Sequence, residues 1–257
     1  MQNQRKNNTS WGKVSAWYDE YLTNDDTYQS KVILPNLQRI INNYLKLNSF
    51  VLDLGCGQGY FVKNIFDKLP QKVIGFDISS ELLSIAKKNM SGREFVCGDA
   101  HDLTKLNNYK FDIIYSVLAV QNMQDLSKVA IEISKVIAPG GKIILVLNHP
   151  CFRVAKESDW HFDGRRQGRV VYNYMSDKRC AIDMNPGSQM KQNMTYSFHH
   201  PLQVYSKVFS KNGFAIEKIE EWISHKKSEQ GAARAFAEDK ARTEIPMFMC
   251  LVLTRYN

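Results

Sequence analysis

The chain has 257 residues, of which 44% are hydrophobic and 23% are charged, a composition typical of one large globular α/β domain. It contains no run of about 18 apolar residues, so we expect no membrane-spanning helix. The net charge of +8 comes from basic residues interspersed with acidic ones, so nucleic acid is a possible partner but is not favoured.

The five cysteines include no CxxC pair, so we expect no zinc site and no other metal. The first ten residues are polar and lack the apolar core of a signal peptide. An odd number of cysteines without such a segment favours a reducing compartment. We therefore expect the protein to be cytoplasmic. The sequence carries no signal for its oligomeric state.

In chain order, the first part of the sequence alternates between helical and strand patterns. Apolar residues at helical spacing near residues 37–45 predict a first helix. Five strands and three further helices then alternate along the chain. The predicted strands are residues 50–54, 72–77, 94–97, 111–117 and 142–147, and the predicted helices are residues 60–69, a segment capped by Ser79 or Ser80, and residues 125–137. This alternation predicts a doubly wound parallel sheet with helices on both faces.

The second part of the chain breaks this rhythm and then resumes it. Residues 149–200 are rich in aromatic and basic side chains and are too long for a simple loop, so we expect an inserted lid or substrate-binding element. Beyond it we predict a helix at 201–211, a strand at 214–223, a helix at 229–242 and a strand at 247–254. The whole chain, 1–257, is thus predicted to be one domain with an insertion at about 149–200.

The most informative motif is the segment from Asp53 to Gly59, where three glycines alternate after a buried strand. Such a turn lets the backbone approach a ligand closely. It is not a P-loop, which requires GxxxxGK[ST]. A dinucleotide-binding GxGxxG would need glycine at position 60, where Tyr60 stands. The Asp53 carboxylate would repel a pyrophosphate and would suit an ammonium group, directly or through water.

These motifs resemble those of class I S-adenosylmethionine-dependent methyltransferases of the small-molecule, ubiquinone-methyltransferase-like kind. The resemblance spans roughly residues 51–147 and implies a Rossmann-like sheet of seven strands with an antiparallel last strand. It also implies S-adenosyl-L-methionine as the cofactor. The positions that match the family's cofactor-binding residues are Asp53, Gly55, Gly57 and Gly59 for the methionine part, Asp77 for the ribose hydroxyls, Ile78, Asp99 and Ala100 for adenine, and Ser116 beside the methyl group.

Methyl transfer needs a nucleophile held in line with the methyl group and shielded from water, and a general base only for some acceptors. His149 directly follows the fifth strand and is the predicted base or hydrogen-bonding residue, although a turn histidine bonded to the backbone is the alternative. The other candidate acceptor contacts are Tyr18, in a segment that folds over the cofactor in related enzymes, and Gln121, Arg153, His199 and His200.

The expected activity is methyl transfer to an O, N or C atom of a small-molecule acceptor. The [ND]PP[YFW] motif of amino-group methylation and the Pro-Cys of cytosine-5 methylation are both missing after the fourth strand, where Ser116, Val117 and Leu118 stand. No acidic cluster of the magnesium-dependent catechol type is visible. The alternatives are an RNA methyltransferase, which the positive charge favours, and a cofactor-binding protein without catalysis.

Overall fold

The computed structural model describes residues 24–183 and 194–256. A π-helical turn, Gln29–Ile33, continues directly into helix α1, Leu34–Asn42. The later helices are α2 (Tyr60–Phe66), α3 (Ser80–Asn89), α4 (Leu126–Val136), α5 (Leu202–Lys211) and α6 (Ala235–Glu244).

Seven strands form the main sheet, and their bounds are β1 (Phe50–Leu54), β2 (Lys72–Asp77), β3 (Glu94–Cys97), β4 (Phe111–Val117), β5 (Ile137–Asn148), β10 (Phe214–Trp222) and β11 (Phe248–Arg255). Their order is β10-β11-β5-β4-β1-β2-β3. Strands β1 to β5 pair in parallel, whereas β11 is antiparallel to both β5 and β10. The predicted seven-stranded Rossmann-like sheet with an antiparallel last strand is confirmed.

Both faces of the sheet are covered because the central strands are apolar on both sides. In β1, Val51 packs in the layer of α1 and α2, while Leu52 and Leu54 pack in the layer of α4 and α5. All three side chains are fully buried, and each contributes about 1.5–3 kcal/mol of hydrophobic stabilisation. The carboxyl ends of the parallel strands therefore lie together at one edge of a sheet that helices cover on both faces.

Local capping explains two helix starts at this edge. The Ser79 hydroxyl accepts a hydrogen bond from the backbone N–H of Leu82 at 3.2 Å, so Ser79, rather than Ser80, caps α3. The Asp125 carboxylate accepts from the N–H of Lys128 at 2.9 Å and caps α4. Each cap satisfies one backbone donor that the first helical turn leaves free.

Some element bounds differ from the sequence-based expectation. Helix α4 ends at Val136, and β5 already begins at Ile137, with an irregular register between Phe111 and Ile113 of β4. The pairing with β4 jumps from Ile137 to Lys142, so the Pro-Gly-Gly segment lies in an irregularity between two paired parts of β5. Helix α6 begins at Ala235 rather than at residue 229, after a turn in which Gly231 has φ +86°.

The segment between β5 and α5 contains two antiparallel hairpins. Strands β6 (Ser158–Phe162) and β7 (Gln167–Val171) form the first, and β8 (Lys178–Asp183) and β9 (Met194–His199) form the second. Neither belongs to the main sheet. Among all described residues, no helix combines the length and apolar character needed to cross a membrane.

Candidate active site

A cavity of about 600 Å³ lies at the carboxyl ends of β1 to β4, bounded by the β8–β9 hairpin. This volume is in the range of small-ligand sites, and open α/β sheets bind ligands at this edge. We call it the main cavity. The sequence-predicted residues that line it are Gly55, Gly57, Asp77, Ile78, Asp99, Ala100 and Gln121.

The glycine-rich turn forms the floor of the main cavity. The N–H groups of Gly55 and Cys56 donate to the carbonyl oxygen of Phe76, at 2.7 and 3.1 Å, which ties the turn to β2. At Gly57, where φ is +54°, a Cβ would meet nothing closer than Leu82 at 3.9 Å, so the backbone there is open towards the cavity. At Gly55 a Cβ would lie 2.4 Å from that of Ala119. One glycine thus permits ligand approach, and the other permits packing.

Asp77 ends β2 and faces the main cavity. Its Oδ2 accepts from the N–H of Gly57 at 2.9 Å, and its Oδ1 accepts from the N–H of Ser79 at 2.8 Å. A carboxylate has about four acceptor positions, so each oxygen can still accept a ligand hydroxyl. Burial raises the pKa of Asp77, while these backbone hydrogen bonds act in the opposite direction. The carboxylate is therefore held rigidly and is suited to a pair of hydroxyl groups.

Asp53 lies beneath the turn and does not line the main cavity. It is only 1% exposed, and its Oδ2 has no hydrogen-bond partner among the described residues. Burial raises its pKa to about 8; the nearby Tyr115 hydroxyl opposes this shift, and the charge of Asp77 adds to it. A buried carboxyl group with one unpartnered oxygen fits the predicted cationic ligand group, reached directly or through water.

Asp99 and Ala100 follow β3 and line the main cavity beside Ile78. The Oδ1 atom of Asp99 accepts from the backbone N–H of His101 at 2.9 Å and lies 2.6 Å from Nδ1 of the same residue. The Nε2 atom of His101 in turn accepts from the N–H of Asp125 at 3.2 Å, which fixes the ring. His101, which the sequence analysis did not select, therefore orients Asp99 and leaves its Oδ2 available.

At the end of β4 the structure brings Val117 and Leu118 to the cavity wall, but not Ser116. The Ser116 hydroxyl is buried and donates to the carbonyl oxygen of Leu54 at 2.7 Å. The expected cofactor contact of Ser116 is thus replaced by a bond to β1, because side chains alternate between faces along a strand. Leu118 has φ +53°, a strained value for a branched side chain that is typical of functional sites.

His149, the predicted base, does not line the main cavity and is 2% exposed. Its Nε2 lies 2.6 Å from Oε1 of Glu221, and its Nδ1 accepts from the N–H of Cys151 at 3.2 Å. Burial lowers its pKa, with Glu221 acting in the opposite direction. Both ring nitrogens are therefore occupied, which corresponds to the alternative of a turn histidine.

The remaining predicted contacts fall into three groups. Gln121 lines the main cavity, with its Oε1 accepting from the N–H of Asn148 at 2.9 Å. Arg153, His199 and His200 line a second, smaller cavity beside it. Gly59 is the N-cap of α2 and does not line the main cavity, and Tyr18 lies outside the described residues.

The structure adds cavity residues that the sequence did not indicate. Gln29, in the π-helical turn, lines the main cavity, is 8% exposed, and has an Oε1 atom without a partner among the described residues. Arg179 of β8 also lines the main cavity, with its guanidinium carbon 3.6 Å from the ring centroid of Tyr196. Gln29 lies in the π-helical turn, and such turns are frequent at functional sites, but no sequence pattern predicts a π-helix here.

Comparison with known proteins identifies the central part of this fold. Residues 52–145 match the family model described as a methyltransferase domain. The malonyl-[acyl-carrier protein] O-methyltransferase of Hamiltonella defensa is 35% identical over 96 residues, which cover 37% of this chain and 36% of that protein. The demethylmenaquinone methyltransferase of Thermotoga maritima is 32% identical over 111 residues, covering 42% and 48%. The chain thus spans about a third to a half of the length of these curated relatives.

Solved structures are similar over most of the chain. An S-adenosylmethionine-dependent methyltransferase from Mesorhizobium loti has a TM-score of 0.65 at 20% identity and covers 90% of this chain and 99% of its own. A S-adenosylmethionine-bound amino pentose methyltransferase from Micromonospora echinaspora has a TM-score of 0.61 at 17% identity, covering 93% and 96%. The chain therefore has the fold of the S-adenosylmethionine-dependent methyltransferases, and its residues 52–145 match a methyltransferase domain.

Proposed function

We propose that this protein binds S-adenosyl-L-methionine in the main cavity and transfers its methyl group to a small-molecule acceptor. The observation that carries the proposal is the joint placement of Asp77 and Asp99 at successive strand ends, in one cavity of about 600 Å³. When bound, the cofactor supplies a methyl group already activated by the sulfonium. The family domain over residues 52–145 supports this assignment.

The cofactor-binding roles follow from the contacts that each group leaves open. Asp77 accepts from the two ribose hydroxyls, because its backbone bonds use only part of its acceptor capacity. Asp99 accepts from the exocyclic amine of adenine through Oδ2. Ile78 and Ala100 provide apolar surface for the base. The open backbone at Gly57 accommodates the methionine part.

The acceptor is enclosed by the insertion, which we propose acts as a lid within a single functional domain. Thr195, Tyr196 and Phe198 of β9 line the main cavity together with Ile182 of β8. This largely apolar wall excludes water from the reacting atoms and favours an acceptor that is partly apolar or aromatic. Gln121 is placed to hydrogen-bond the acceptor with its amide nitrogen.

Catalysis in this proposal depends on positioning rather than on a general base. Holding the acceptor atom in line with the methyl group is sufficient for a nucleophile such as a neutral amine. The engaged ring of His149 supports this mechanism, since neither of its nitrogens is available to an acceptor. Among the described residues lining the main cavity, the imidazole of His101 is likewise occupied by Asp99 and Asp125.

The cofactor assignment is tested by calorimetric titration of S-adenosylhomocysteine into wild type and Asp77→Ala. Two hydrogen bonds to a charged group contribute about 1.5–3 kcal/mol each, so affinity should fall by about 100-fold or more. Asp67→Ala, which removes an exposed carboxylate outside the cavity, should bind as wild type does. Unchanged affinity in Asp77→Ala would refute the assignment.

The acceptor class is tested by incubating the protein with a cofactor labelled in its methyl group and separate pools of small molecules and total RNA. Label in small molecules supports the proposal. Label in RNA, with an RNA affinity that falls steeply with salt, would favour an RNA methyltransferase. Cofactor binding without transfer to either pool would favour the non-catalytic alternative.

The cellular location is part of the same proposal. All five cysteines are unpaired, and two of them, Cys56 and Cys250, are buried in the core of the sheet layer. Reduced buried thiols support action in a reducing cytoplasm.

A further inference from the structure

The second cavity, of about 50 Å³, has the size of one small polar group. It shares Gln121, Asn148, Ile182 and Phe198 with the wall of the main cavity, so the two are adjacent. Because Gln121 and Asn148 stand at the ends of β4 and β5, this second cavity lies on the acceptor side of the proposed site. We call it the side cavity.

Arg153 gives the side cavity an uncompensated positive charge. Its Nε is buried without a hydrogen-bond partner, and no carboxylate among the described residues pairs with its guanidinium. Its guanidinium carbon lies 5.1 Å from the ring centroid of Trp160, a contact that only partly replaces lost solvation. Burial and the nearby charge of Arg169 both lower the pKa of Arg153, as expected for a cation without a counter-ion.

Arg169 provides an internal comparison, because it packs against the same ring at 5.2 Å. Unlike Arg153, it donates to the carbonyl oxygens of Phe152 and Ser158, at 2.9 and 2.8 Å, and to the Ser158 hydroxyl. Arg169 is therefore a structural residue of the insertion. Arg153 makes no such bonds to the described residues, and the structure leaves its donors available to a ligand.

His200 adds a second available group to the side cavity. Its Nδ1 lies 2.9 Å from Asp177, and its buried Nε2 has no partner among the described residues. An imidazole nitrogen that bears a hydrogen donates readily to an oxygen. No Asp or Glu of the described residues lines the side cavity, and Arg179 lines the main cavity. The acceptor side is thus basic, whereas the cofactor side carries Asp77 and Asp99.

We propose that Arg153, assisted by His200, binds a carboxylate group of the acceptor in the side cavity. This inference rests on the proposed function and narrows the acceptor to a small carboxylic acid. The planar guanidinium matches a carboxylate with two parallel hydrogen bonds, and the cavity volume suits a group of that size. A carboxylate held in this way has its lone pairs engaged, so it serves recognition, and the attacking atom lies elsewhere on the acceptor.

The test uses the full-length protein saturated with S-adenosylhomocysteine and titrated by NMR with acetate and benzoate, each paired with its neutral amide, acetamide or benzamide. Wild type should bind each carboxylate about 10- to 100-fold more tightly than its amide, as expected for a charge-assisted bidentate pair. Arg153→Gln should lose this preference. Arg153→Lys should retain part of it, because the charge remains without the planar fork.

Arg165→Gln is the matched control, because it removes one positive charge from the exposed part of the same insertion, outside both cavities. It should keep the full carboxylate preference. Equal binding of carboxylate and amide by wild type, or an unchanged preference in a folded Arg153→Gln protein, would overturn the inference. Tighter binding of inorganic phosphate than of acetate would overturn the choice of a carboxylate. Failure of wild type to bind S-adenosylhomocysteine would instead contradict the proposed function.

Discussion

Replacing Asp53 by asparagine should stabilise the ligand-free protein, and increasingly so as the pH rises. Asp53 is buried, and its pKa is raised from 3.8 to about 8. The unfolded chain therefore releases this proton near its ordinary pKa, whereas the folded protein keeps it. Since the folded state binds more protons between these two values, its stability is greatest below the unfolded pKa and falls as the pH rises towards the folded one.

The size of this effect follows from the shift. Each pKa unit corresponds to about 1.4 kcal/mol, and integration from about pH 5 to pH 8 gives a loss of about 3–4 kcal/mol in the free energy of unfolding. Asparagine has nearly the same shape and no charge to bury, so Asp53→Asn should abolish this part of the pH dependence. The difference between the two proteins cancels the contributions of all other titrating groups.

The assay is urea denaturation of wild type, Asp53→Asn and the exposed-site control Asp67→Asn at about pH 5, 6.5 and 8. The free energy of unfolding of Asp53→Asn should exceed that of wild type by a margin that grows with pH, and Asp67→Asn should follow wild type. Parallel pH profiles for wild type and Asp53→Asn would refute the reasoning. If Asp53 also faces the cofactor ammonium, Asp53→Asn should bind S-adenosylhomocysteine more weakly at about pH 8 despite its greater stability.

Three further outcomes follow from the geometry. Gly55→Ala should lower the free energy of unfolding by about 1–3 kcal/mol in chemical denaturation, because φ at this position is +81° and the new Cβ would lie 2.4 Å from that of Ala119. The control Gly92→Ala, where a Cβ would meet open space, should change this free energy little. His149→Gln should lower the free energy of unfolding by about 1–3 kcal/mol because it removes the bond to Glu221, and its affinity for S-adenosylhomocysteine should stay unchanged. Weaker binding at unchanged stability would instead support the prediction that His149 belongs to the active site. Hydrogen bonds from Lys142 and Thr254 lower the pKa of Glu217 to about 2. The free energy of unfolding of wild type should therefore fall in acid denaturation as the pH drops below about 4.5, where this carboxylate begins to bind a proton. Glu217→Gln, which has no carboxylate at this position, should lack this part of the pH dependence.

The proposed cofactor half of the site could be inferred from the sequence because its signals are local. Asp77 and Asp99 each stand at the end of an apolar strand, and a parallel sheet brings such ends to one edge. The glycine spacing and the absence of glycine at position 60 are likewise read within a few residues. For these positions, the tertiary structure adds mainly the backbone bonds that orient each carboxylate.

The proposed acceptor half could not be inferred in the same way. His149 follows a strand, as a catalytic residue would, but its ring is bonded to the carboxylate of Glu221 in β10. Ser116 stands one residue from the cavity wall, and strand alternation turns it towards β1. Arg153 was a candidate in sequence, but only the structure shows that its guanidinium has no carboxylate partner among the described residues.

The sequence alone thus determined the sheet and the match to a methyltransferase domain, and it indicated the residues that we propose bind ribose and adenine, since all of these depend on strand ends and short-range spacing. Only the tertiary structure decided which side chains of the insertion line the two cavities and which histidine is already bonded. The physical reason is that a polar side chain is free or engaged according to partners far along the chain, and packing alone brings those partners together.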